Sequence, residues 1–193
     1  LLASMAAATS WRDGLSGDGE ALLELTGATG AAIVTGEGCI EVGHTPGVDG
    51  VHALTTWLDG NDSGDLFVTR SLPSLMPDAE RMANSACGVL AIRISELHTG
   101  WLVWFRPEVV STVTWGGDPH KTIQESGRIH PRRSFDAWKE LVHNRSLAWQ
   151  QPEIDAARDL RTSIIGIVLK KAEEVAQLAE ELKRSNKELE AFS

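Results

Sequence analysis

The sequence predicts an α+β domain: an antiparallel sheet of five to six strands flanked by helices, with one long excursion and long helices at both termini. Three observations predict it. Up to residue 105, short apolar runs bounded by turn signals alternate with segments at helical spacing. Periodicity then disappears over about 25 residues between Pro107 and Pro131, longer than ordinary connections. From Pro152 onward an apolar seam repeats at alternating steps of three and four.

The elements follow in order. Residues 1–9 are rich in Ala, Leu and Met, strong helix formers, and Ala21-Leu22-Leu23-Glu24-Leu25 resumes that character after a Gly-rich break over 13–19. A leading helix and a second helix are expected there. Ala31-Ala32-Ile33-Val34 and Cys39-Ile40-Glu41-Val42 flank Thr35-Gly36-Glu37-Gly38, which reads as a hairpin. Residues 49–59 place Val51, Leu54 and Leu58 at helical spacing, and Leu66, Phe67 and Val68 return to strand character. A Pro-punctuated stretch over 72–77 leads into a helix over 78–83. Strands over 87–94 and 101–105 follow, joined around His98-Thr99-Gly100. Hairpins at both ends fit an antiparallel sheet covered by helices better than a parallel nucleotide-binding sheet. The glycine fingerprint of the latter would begin at Gly36-Glu37-Gly38, but its third glycine position is Glu41, and GxxxxGK[ST] does not occur.

Within the aperiodic excursion, Thr112-Val113-Thr114-Trp115 has strand propensity and predicts a protruding hairpin. A helical run starting at Ser134 and passing through Phe135, Ala137 and Trp138 offers the same segment a second form. Past Pro152, residues Ile164, Val168, Lys171, Val175, Leu178, Leu182, Ser185 and Leu189 form a heptad seam. The apolar members Ile164, Val168, Val175, Leu178, Leu182 and Leu189 predict a homodimer, and Lys171 and Ser185 at seam positions weaken it. Docking on its own domain suits residues 154–169 and fails beyond them, where nothing is left to cover the stripe. The chain therefore divides into a domain over 1–151 and a signalling helix over 152–193.

Composition bounds the function. With 193 residues, 42% hydrophobic and 23% charged, the chain holds one packed domain plus an extra element, and is neither disordered nor a disulfide scaffold. The two cysteines, Cys39 and Cys87, lie far apart with no CxxC, so both read as buried apolar residues in a reducing compartment. The longest apolar run, within 88–92, is far below the roughly 20 residues that span a bilayer. The net charge of −9 is uneven: residues 1–105 carry 13 acids and 4 bases, whereas 106–135 carry 3 acids and 5 bases. A global nucleic-acid footprint is not expected, since only 106–135 could present a basic face and its five cations are few. The opening Leu1-Leu2-Ala3 lacks an initiator Met and a basic leader, so a piece of a longer protein is expected.

From Trp104 onward the sequence resembles the PHY domain of bacterial phytochromes. The resemblance rests on Trp104-Phe105-Arg106-Pro107-Glu108, then Trp115-Gly116-Gly117-Asp118-Pro119-His120-Lys121, then Pro131-Arg132-Arg133-Ser134-Phe135. It implies a GAF-like fold in which residues 107–135 form the tongue, an arm reaching the bilin pocket of an upstream GAF domain. In this family Arg132 would pair with a GAF aspartate in the resting state, and Ser134 would take over that contact after photoactivation. Trp115, Gly116, Gly117, Pro131 and Phe135 match further tongue contacts to that pocket. The resemblance also implies biliverdin, or another bilin, bound upstream by a PAS-GAF module, a histidine kinase downstream and a bacterial cytoplasmic location. No chromophore site, catalytic residue or metal site is expected in this segment.

Arg132 suits its implied role, since a planar guanidinium forks onto a carboxylate. Other readings are weaker. Asp118, His120 and Ser111 or Ser134 have no fixed mutual geometry for catalysis. His120, His130 and Asp118 lack metal-ligand spacing. The serious rival is a GAF-like small-ligand sensor coupled to a coiled coil, which would not need a 25-residue arm.

Overall fold

The computed structural model describes residues 1–61, 64–95, 100–109, 111–115 and 138–191. Three short helices open the chain: α1 (Leu2–Ala7), α2 (Trp11–Gly17) and α3 (Gly19–Glu24). Helix α2 runs through the expected break over 13–19. Ser10 caps it, its hydroxyl accepting from the amides of Arg12 and Asp13 at 3.1 and 3.4 Å. Gly14 serves packing there and makes no turn: a Cβ at this position would lie 2.4 Å from the Met5 Cα of α1.

The hairpin β1 (Gly30–Thr35) and β2 (Gly38–Gly43) follows, with Thr35 opposite Gly38. Then come α4 (Gly47–Gly60) and β3 (Leu66–Thr69). The expected helix over 78–83 is instead a 3₁₀ turn, Ala79–Met82, running into the short α5 (Ala83–Ala86). Asp78, just before it, has a left-handed φ of 62°, which no α-helix extends through. Strands β4 (Gly88–Ser95) and β5 (Gly100–Arg106) complete a five-stranded antiparallel sheet in the order β2-β1-β5-β4-β3. A separate two-stranded hairpin joins β6 (Ser111–Trp115) to β7 (Trp138–Val142), and α6 (Gln151–Ala191) closes the chain.

Both faces of the large sheet are covered, so its central strands are apolar over most of their length. Alternation divides them between two cores. Ala32, Val34, Val89, Ala91, Trp101, Val103 and Phe105 face Val51, Leu54 and Leu58 of α4. Ala31, Ile33, Leu90, Ile92, Leu102 and Trp104 face Met5, Leu15 and Leu22 of the leading helices and Ala157, Leu160 and Ile164 of α6.

At 1.5 Å per residue the 41 residues of α6 span roughly 60 Å, twice a small domain's diameter. Its docking stripe is Ile154, Ala157, Leu160, Ile164 and Ile167. Ile164, expected in the dimer seam, is fully buried against its own sheet. Lys171 leaves the seam as well, its Nζ donating to the carbonyls of Ala8 and Thr9 at the end of α1, at 2.7 and 2.9 Å. From 172 to 187 every residue is exposed.

Candidate functional site

The site is built where β5 ends. Residue 106 is the last of a strand whose other members, Gly100-Trp101-Leu102-Val103-Trp104-Phe105, carry no charge, and it is only 6% exposed. A buried guanidinium needs its donors satisfied and its charge met. Arg106 achieves both. Its Nη2 donates to the Thr26 carbonyl at 2.6 Å and to Glu153 Oε1 at 2.7 Å. Its Nη1 donates to the Ala148 carbonyl at 2.9 Å, and its Nε to the Gly27 carbonyl at 3.3 Å. The guanidinium also stacks on Trp149, 3.9 Å from the ring centroid.

These partners come from three places: the turn between α3 and β1, the segment returning from the small hairpin, and the first turn of α6. Glu153 holds α6 in two ways. While Oε1 receives Arg106, Oε2 accepts from the Gln150 amide at 2.7 Å, closing a cap at the helix start. Gly27 is left-handed at φ 57°, and a Cβ there would sit 3.2 Å from Arg106 Nη2.

The hairpin root lies beside this cluster. The Glu108 amide donates to the Ala83 carbonyl at 2.9 Å and the Val109 amide to the Arg145 carbonyl at 2.8 Å. The Glu108 carboxylate accepts from the Asn144 amide at 2.5 Å, with His143 Nδ1 at 3.6 Å. On the return, Ser71 Oγ donates to the Asn144 carbonyl at 2.7 Å, the Ser146 amide to the Arg70 carbonyl at 2.9 Å and Trp149 Nε1 to the Thr69 carbonyl at 3.0 Å. Gly88, opposite Arg106 in the sheet, leaves room for that passage: a Cβ there would fall 2.0 Å from Ser146 Oγ. Cys87 is pushed up to about 11 by burial and, secondarily, by the Glu108 charge, so its thiol stays protonated at neutral pH. Cys39 is raised by burial and then by Glu41.

Of the residues expected to contact a chromophore pocket, Trp115 ends β6 directly opposite Trp138 of β7. Gly116, Gly117, Pro131, Arg132, Ser134 and Phe135 lie outside the described residues. The returning strand at Trp138–Val142 lies past the expected tongue end at 135, and Trp138, the last residue of the alternative helical run, is in a strand here. Ladder pairing with Ser111–Trp115 meets the backbone's hydrogen-bonding needs there. In the seam, Val168 is 41% exposed and Val175, Leu178 and Leu182 about 65%, while the side chain of Leu189 is not among those described.

Reasoning on the sequence missed Arg106, Glu153 and Trp149 as a unit. A cation ending a wholly apolar strand was the available signal.

A family model, the phytochrome region (PHY), matches residues 1–173. The chain belongs to this family. Its PHY fold is shared with the crystal structure of the bacteriophytochrome RpBphP3 from the photosynthetic bacterium R. palustris: TM-score 0.75 and 38% identity, over 88% of this chain and 34% of that one. The phytochrome-like protein Cph1 of Synechocystis is 46% identical over 198 residues, covering 100% of this PHY chain and 26% of the relative. Cyanobacterial phytochrome A of Nostoc is 46% identical over 186 residues, covering 94% and 24%. The chain thus spans about a quarter of the length of these curated relatives. Among the described residues no helix is long and apolar enough to cross a membrane.

Proposed function

We propose that this chain is the relay segment of a bilin photoreceptor. The β6/β7 hairpin carries the tongue, whose Arg132, Ser134, Phe135, Pro131, Trp115, Gly116 and Gly117 contact and stabilise the bilin pocket of an upstream PAS-GAF module. Photoconversion changes those contacts, and the change passes through α6, paired with a second copy, to a downstream histidine kinase. The bilin is biliverdin, held upstream, and the cell compartment is the bacterial cytoplasm.

One observation carries this reading. The chain leaves the sheet at Arg106, makes the hairpin, returns beside its own exit at Arg145 and enters the 41-residue α6 within a few residues. A small-ligand sensor would need room inside its own fold. Among the described residues both sheet faces are filled by fully buried side chains, Trp101 and Phe105 on one and Trp104 and Ile92 on the other.

The test compares absorbance after incubation with biliverdin. The chain extended upstream through its chromophore module should gain a red band that shifts reversibly under red and far-red light, while the chain alone should not. A red band in the chain alone refutes the upstream placement of the bilin, and no band in either favours the ligand sensor. In the extended protein Arg132→Ala should shorten the lifetime of one photostate, and an unchanged photocycle removes Arg132 from the relay.

Pairing through α6 is read separately. Leu178→Lys with Leu182→Lys should weaken self-association at least about tenfold in sedimentation, since burying a Leu contributes about 1.5–3 kcal/mol and 1.4 kcal/mol is tenfold. Both side chains are exposed within one copy, so the fold should be untouched. An unchanged association constant rejects this seam.

A further inference from the structure

Among the described residues, helix α6 is pinned to its own domain at the polar contacts of Glu153, Arg161 and Lys171. Near its start Glu153 meets Arg106. Two turns on, Arg161 Nε donates to the Arg93 carbonyl at 2.6 Å, and its Nη2 pairs with Asp65 at 2.8 Å. At Lys171 the ammonium reaches the end of α1. Of these three, the Arg106 point is the one whose partners flank the hairpin.

We infer that Arg106 is the positioning residue through which the hairpin root sets the start of α6, with Glu153 as its counterpart on the helix; this rests on the relay reading above. Geometry supports it on both sides. Arg106 immediately precedes Pro107, where the excursion leaves the sheet, and Ala148 and Trp149, which it holds, end the return. One rigid guanidinium plane therefore grips the exit and the re-entry of the hairpin together with the first turn of the helix. A shift of either root strand moves the Ala148 carbonyl or the Trp149 ring relative to that plane. The fork then has to tilt, and Glu153 follows, because a planar fork couples direction as well as charge. Glu153 also caps the helix through Gln150, so the tilt reaches the backbone of α6. The pair is 7% and 22% exposed, which keeps it from being screened like a surface ion pair.

The test is made in the full-length photoreceptor carrying this segment, loaded with biliverdin, as amide hydrogen exchange over 151–160 in darkness and under red light. Glu153→Gln keeps the size of the side chain and a carbonyl oxygen for the cap but removes the charge. It should retain the resting absorbance spectrum and lose at least about fivefold of the light-minus-dark exchange difference, the lower end of an allosteric coupling. Arg106→Lys, a cation without the fork, should lose it as well. Lys171→Met breaks a pin remote from the hairpin and should keep it.

Three outcomes overturn the inference. In one, Glu153→Gln shows the wild-type difference. In the second, exchange rises equally in darkness and light with the difference preserved, which marks a purely structural pair. In the third, Lys171→Met loses the difference equally, which marks general loosening of α6. Failure of the relay reading is distinct: the wild type itself would then show no light-minus-dark difference over 151–160.

Discussion

Trp104→Ala is expected to destabilise the chain by about 3–5 kcal/mol, the range for deleting a large buried aromatic side chain. The orphaned acceptor behind it adds roughly 1 kcal/mol. Trp104 sits on β5, the middle strand of five, and is fully buried between the leading helices and α6. Its Nε1 donates to the Leu22 carbonyl at 2.9 Å, so the ring fills the second core and also ties down the end of α3. With Ala in its place, the second core is left with a cavity beside Leu22 that the rigid sheet does not close. A domain of this size has about 5–15 kcal/mol of stability in all, so the variant should unfold at markedly lower urea, with its midpoint displaced and its slope kept. Far-ultraviolet circular dichroism against urea measures this, and a loss under about 1 kcal/mol would contradict the packing described. Leu178→Ala, on the exposed part of α6, should stay within about 0.5 kcal/mol in the monomer.

Such a core was readable because its signal is local. β1, β4 and β5 are mostly apolar runs that each open on a glycine, and burial on both faces only strengthens that pattern. Helix α2 was not readable, because Gly14 and Gly17 speak for a turn until α1 is seen pressed against Gly14. The heptad reading of α6 started its seam at Ile164, which instead belongs with Ala157 and Leu160 to the stripe docked on the sheet, while a second stripe through Val168, Val175, Leu178 and Leu182 stays exposed. A spacing of three and four is common to both, and only the position of the sheet separates them.

The Arg106 cluster escaped for a different reason. Its four hydrogen-bond partners lie between 42 and 80 residues away in sequence, and three of them are backbone carbonyls, which any residue type supplies. Motif spacing carries no record of such contacts. The tongue motifs show the converse: Pro131, Arg132, Ser134 and Phe135 are distinctive as a sequence, yet their partners are expected in a different domain.

Arg106→Met should likewise cost above about 4 kcal/mol, a size reserved for a few specific mechanisms. Two of them act together. Removing the cation leaves the Glu153 carboxylate partly buried and unpaired, and breaking a buried pair from one side costs about 3–5 kcal/mol. The carbonyls of Thr26 and Ala148 lose their donor as well, at about 1–3 kcal/mol for each one left unsatisfied. Adding Glu153→Leu to Arg106→Met removes the stranded carboxylate, so the double variant should recover part of the loss. Recovery stays incomplete because the carbonyls remain orphaned and the Gln150 amide loses its cap. The coupling energy of this cycle, from urea unfolding of the wild type, both single variants and the double, isolates the ion pair from the carbonyl contacts. A single-variant cost under about 1 kcal/mol, with no coupling, would place Arg106 among ordinary surface ion pairs and remove the physical basis for a joint between hairpin and helix.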